Sequence, residues 1–159
     1  MPIILALLFG IFSAAFALIL ELVFLSFSTN PLIPVVALFE GSSLTPFLTF
    51  SLIAAAVIEE ASKFLFLRQY YIRFPSHPIF LPALFFGLGF ASVEVFLAFQ
   101  NSVYSFAFVG SIALHIATSF LLAFFLRRSL TPLAVSSILA IALAILAHIA
   151  YNLSLFVLA

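Results

Sequence analysis

Five stretches of about 20 or more mostly apolar residues run through this chain, and that length is what an α-helix needs to cross a bilayer. They read as roughly Ile3–Phe27, Pro46–Leu67, Ile79–Phe99, Val103–Leu126 and Pro132–Leu158. Ala15-Phe16-Ala17 in the first stretch imitates a signal-peptidase site. With no basic residues ahead of it and an apolar run continuing past it, the stretch reads as a retained span. Thr45 is placed to cap the second helix, with Pro46 as its first helical residue. Asn30–Phe39 is apolar but short and carries two prolines, so it reads as a re-entrant or interfacial piece. The fold expected is an all-α membrane bundle of about five transmembrane helices in one domain, 1–159. Residues 1–44 supply an extra span and outer loop, and 45–159 a four-helix core.

Four arginines set the orientation. Arg68 and Arg73 lie between spans two and three, and Arg127 and Arg128 between spans four and five. With five spans these loops share one side with the N-terminus. That side is expected to be cytoplasmic, the C-terminus outside, and the protein a multi-pass protein of the cell membrane.

Apart from Glu21 and Glu40, the remaining charges lie well inside the apolar stretches: Glu59, Glu60 and Lys63 in span two, and Glu94 in span three. His115 falls in span four, and His148 and Asn152 in span five. A charged side chain at mid-bilayer costs about 2.5–3.5 kcal/mol, so four cost on the order of 10 kcal/mol unless partnered. Glu59 and Lys63, spaced i, i+4, are expected to pair along one helix face. That leaves two acids in surplus, to be protonated, solvated by a water pocket or bound to a metal. His148 and Asn152, also i, i+4, share a face. Gly87 and Ala91 form a small-residue face with Glu94 one turn beyond, suited to close helix packing and a candidate wall for an incoming substrate helix. At about 1.5 Å rise per residue, Glu59, Glu94, His115 and His148 fall within roughly 10 Å of one another in depth. Glu21 is expected to snorkel from the outer end of span one, and Glu40 to sit in the outer loop.

Composition removes several chemistries. The chain has no Cys, so no thiolate metal site or cysteine nucleophile, and its five acidic residues are all Glu, so no aspartyl pair. Zero formal net charge gives no basic surface for nucleic acid. The H-E-x-x-H helix of membrane metalloproteases is absent. Gly110-Ser111 precedes His115 without a Gly-rich serine turn. Carboxylate chemistry, with a Glu as general base on water, is what is left. Two or three Glu with two His (Glu59, Glu94, His115 and His148) are also candidate ligands of a divalent metal such as zinc.

These residues resemble the PrsW family of intramembrane proteases, within the wider CAAX protease and bacteriocin-processing superfamily. The matching elements are Glu59-Glu60-Ala61-Ser62-Lys63 (E-E-x-x-K), Gly87 to Glu94 with its F-x-x-x-E ending, His115, and His148-Ile149-Ala150-Tyr151-Asn152 (H-x-x-x-N), one per span and in order. Lys63 stands one position before the Arg of the CAAX branch, and Glu94 replaces that branch's His; both departures favour PrsW. The resemblance implies Glu59 as general base, Glu60 as its supporting acid and Lys63 as the residue holding the pair. It implies His148 and Asn152 as oxyanion donors, and Glu94 and His115 as groups that orient water or bind metal. The implied substrate is a single-span membrane protein such as an anti-sigma factor, cut near or in the bilayer. A non-catalytic scaffold related to the Aph subunit of gamma-secretase is the alternative outside enzymology. A small transporter fits poorly, without repeat pairing or matched broken helices.

Overall fold

The computed structural model describes residues 2–28, 44–76, 78–100, 107–128 and 135–158. They form five helices and, among the described residues, no strand. These are α1 (Pro2–Ser28), α2 (Leu44–Arg73), α3 (Phe80–Gln100), α4 (Ala107–Arg128) and α5 (Val135–Leu158). Four of them, α1, α3, α4 and α5, are long and apolar enough to cross a membrane. The 30 residues of α2 are ample in length. Its charges set it apart by composition, and two of them, Glu60 and Lys63, are fully buried inside the bundle. The result is an all-α membrane bundle with Ile4, Phe12, Leu22, Phe96, Leu139 and Leu146 turned outward, as a lipid-facing surface requires.

The helix limits differ from the sequence reading in informative places. Thr45 lies within α2, which starts at Leu44; Pro46 is tolerated there because first-turn N–H groups have no helical partner in any case. At its other end α2 runs six residues past Leu67, to Arg73. Nothing breaks the helix before Pro75, and Tyr70 and Tyr71 in the extension are buried. Asn30–Phe39 and Glu40, and the expected starts of spans four and five at Val103 and Pro132, lie outside the described residues.

Helix α2 sits at the centre, touching α1, α4 and α5, while α3 joins α1 to α4. Glycine fixes these approaches. A Cβ on Gly10 would collide with the carbonyl oxygen of Phe86, and one on Gly89 with that of Leu7, so α1 and α3 meet backbone to backbone. A Cβ on Gly87 would lie 2.7 Å from Ile116 Cα and 2.9 Å from His115 O. The small face at Gly87 is therefore occupied by α4 and is no entry wall for a substrate. It is what brings α4 close enough for His115 to reach α3.

The four arginines gather at one end. The Tyr70 hydroxyl donates to Pro2 O at 3.3 Å, placing the α2 C-terminus beside the start of α1. Arg127 donates to Pro75 O, tying the end of α4 to the α2–α3 turn.

Candidate functional site

Glu59 and Glu60 are adjacent on α2, so their side chains leave the helix about 100° apart and meet different neighbours. Glu60 turns towards α5 and is buried completely. Its Oε1 accepts from Lys63 Nζ at 2.6 Å and from His148 Nδ1 at 2.8 Å. Lys63 thus pairs with Glu60 at i, i+3 and not with Glu59 at i, i+4 as the spacing alone suggested. The reason is tertiary: the residues that complete the Lys63 shell come from α4. Its ammonium also contacts His115 Nδ1 at 2.6 Å and Thr118 Oγ1 at 3.1 Å, and lies 4.5 Å from the Phe90 ring centroid. All three ammonium protons are used, and the aromatic face covers the group.

Hydrogen positions follow from these partners. An ammonium has no lone pair, so His115 Nδ1 is an acceptor and the neutral ring carries its proton on Nε2. That N–H donates to Glu94 Oε2 at 2.6 Å, and the same oxygen accepts from the Ser111 hydroxyl at 2.8 Å. His148 is the opposite case. Its Nδ1–H donates to Glu60, leaving the Nε2 lone pair 3.7 Å from Glu59 Oε2. The rings lie 5.4 Å apart, nearly perpendicular. Glu59 Oε2 is buried without a hydrogen-bond partner of its own, while the Glu59 carboxyl stands against that of Glu94.

Glu59, Glu94, Ser111, His115 and His148 line a cavity of about 260 Å³, room for several waters, with Glu60 and Lys63 behind its wall. Its walls include Glu21, Glu59, Glu94, Ser111, His115, His148, Tyr151 and Asn152, with Ala14, Ala17 and Leu18 of α1 and Phe90 of α3. Going inward to outward along each helix, it reaches Glu21, Leu97 and Asn152, away from the arginine end. Glu59, Glu60, Lys63, Glu94, His115, His148 and Asn152 are thus brought to one place.

Three further residues join them. Glu21 of α1 lines the cavity. Ser111 binds Glu94 and not a histidine, so it makes no Ser–His pair. Thr118 completes the Lys63 shell. A signal for the last two was present: Ser111, His115 and Thr118 stand at i, i+4 and i+7, a polar stripe on a helix that is otherwise apolar up to Leu126 apart from Ser119.

One ligand atom each from Glu59, His115 and His148 lies within 4.8 Å of the others. As the side chains are held, however, both nitrogens of His115 are engaged, by Lys63 and by Glu94. Release of one of those two bonds would let Glu59, His115 and His148 serve as the three protein ligands usual at a catalytic zinc. No protein-family model, curated protein or solved structure matches the chain.

Proposed function

We propose that this protein is an intramembrane endopeptidase of the glutamic type, in which Glu59 activates a water against a peptide bond of a membrane-anchored protein. The observation that carries the reading is the unpartnered, buried Glu59 Oε2 facing the lone pair of His148 Nε2 across 3.7 Å. Two acceptors at that separation both fall within hydrogen-bond range of a single water, which donates one proton to each. The water's lone pairs then point into the cavity, where a carbonyl carbon can be attacked while Glu59 takes the proton. Asn152, one turn beyond His148 and also lining the cavity, is assigned in this reading as the donor to the oxyanion.

The resemblance to the PrsW family supplies the substrate class, a single-span protein of the anti-sigma-factor kind. In this reading the cut lies near or in the bilayer, and the cavity's reach away from the arginines, taken with the positive-inside rule, favours the outer half. The outward-turned apolar side chains make the lipid bilayer the bundle's surroundings in this reading.

Neo-terminus mass spectrometry on membranes holding equal amounts of wild type or Glu59→Gln tests this reading. New termini are expected with the wild type, and a loss of about 10²–10⁴-fold in the variant. Identical profiles would favour a scaffold. Stoichiometric zinc in the purified protein, lost with Glu59→Gln, would favour a metal-dependent form of the same cluster.

A further inference from the structure

We propose that His148 is the proton carrier of the reaction, taking the proton that the water loses and delivering it to the leaving amide nitrogen. This rests on the endopeptidase reading above and goes beyond it. That reading assigns the attack but leaves the leaving group unserved. A peptide nitrogen departs as an amine, so it must be protonated as the C–N bond breaks.

The side chains single out one atom for this. Both His115 nitrogens are occupied, and Lys63 spends its three protons on Glu60, His115 and Thr118. His148 Nε2 is the imidazole nitrogen of the cluster left with a lone pair on the cavity. Behind it, the buried Glu60 carboxylate holds Nδ1–H at 2.8 Å, fixing the tautomer and offsetting the charge of the imidazolium that forms. Glu60 is in turn fixed by Lys63. Lys63, Glu60 and His148 thus form a relay whose open end is Nε2, beside Glu59.

The step balances. Water's oxygen bonds the carbonyl carbon as one water proton passes to Glu59 Oε2. That proton crosses to His148 Nε2, giving an imidazolium and restoring the Glu59 carboxylate. The C–N bond then breaks with its electron pair going to nitrogen, which takes the proton from Nε2. The acid product and the amine leave, and His148 returns to the neutral Nδ1–H form. In this account Nε2 faces the site as a lone pair during attack and as N–H only afterwards. A pure oxyanion donor would need the N–H from the start.

The test uses the full-length protein in lipid vesicles and two probes. One is a single-span peptide carrying the bond identified by neo-terminus mass spectrometry. The other is the same peptide with an ester in place of that amide, whose alkoxide leaving group depends far less on an acid. His148→Gln keeps a hydrogen-bond donor but carries no proton. It is expected to lower kcat on the amide by about 100-fold or more, with KM unchanged, and on the ester by less than about tenfold. Glu60→Gln is expected to show the same selectivity, and decides the matter if His148→Gln does not fold. Equal losses on amide and ester in the folded variants would overturn the proposal, as would amide cleavage by His148→Gln within tenfold of wild type. Wild type cutting neither probe would instead bring down the endopeptidase reading itself.

Discussion

The two buried histidines carry the same chemistry on paper and opposite chemistry in place. Each imidazole bonds a carboxylate, His115 that of Glu94 at 2.6 Å and His148 that of Glu60 at 2.8 Å. They differ in where Lys63 stands. It meets His115 directly on the ring and meets His148 through Glu60. The direct contact consumes the His115 lone pair and makes that half a closed structural link between α2, α3 and α4. The indirect contact orients His148 and leaves its Nε2 open. One cation, placed asymmetrically between two similar pairs, closes both nitrogens of one ring and leaves a nitrogen of the other open to the cavity.

The largest effect expected is from removing that cation. Lys63→Met takes the cation from the buried Glu60 carboxylate and leaves His115 Nδ1 without a donor, which costs about 3–5 kcal/mol. Thermal unfolding in detergent should show a clear drop; an unchanged midpoint would mean that Lys63 does not organise the cluster. Next comes the contrast between the halves. Glu60→Gln should lower cleavage by about 10²–10⁴-fold, whereas Glu94→Gln, whose histidine is closed off, should cost markedly less. Equal losses in a rate assay would erase the asymmetry. Gly87→Ala probes the closed half alone. Its Cβ would sit 2.7 Å from Ile116 Cα, so α3 and α4 must part, at a cost of about 1–3 kcal/mol that should appear in the melting curve with the His148 half intact. The smallest effect is Ser111→Ala, which removes one of two hydrogen bonds to Glu94 Oε2, about 1 kcal/mol, with cleavage changed less than about tenfold.

Much of this arrangement was legible in the sequence, because bilayer thickness fixes helix length and the cost of buried charge makes each intramembrane Glu or Lys conspicuous. The spans, and the convergence of Glu59, Glu94, His115 and His148 in depth, followed from counting at a fixed rise per residue. Which acid Lys63 would choose did not. On an isolated helix, i, i+3 and i, i+4 partners are near equals. The choice of Glu60 depends on His115 and Thr118 arriving from another helix. The purpose of Gly87 was half legible: small residues announce a close approach but not which helix makes it. The place of Glu21 in the cavity wall was not legible for a similar reason. An acid near a helix end can reach water, and only the packing of α1 against α3, set by Gly10 and Gly89, turns its segment towards the cavity.

The opposite tautomers of the two rings can be read directly. The chain has 3 histidines, His77, His115 and His148, so nitrogen-15 NMR of the histidine-labelled protein in lipid nanodiscs is interpretable, with His148→Gln assigning the reactive ring. The account predicts a protonated Nε2 with a bare Nδ1 for His115, and a protonated Nδ1 with a bare Nε2 for His148. The same tautomer in both rings, or a proton resting on Nε2 of His148, would contradict it.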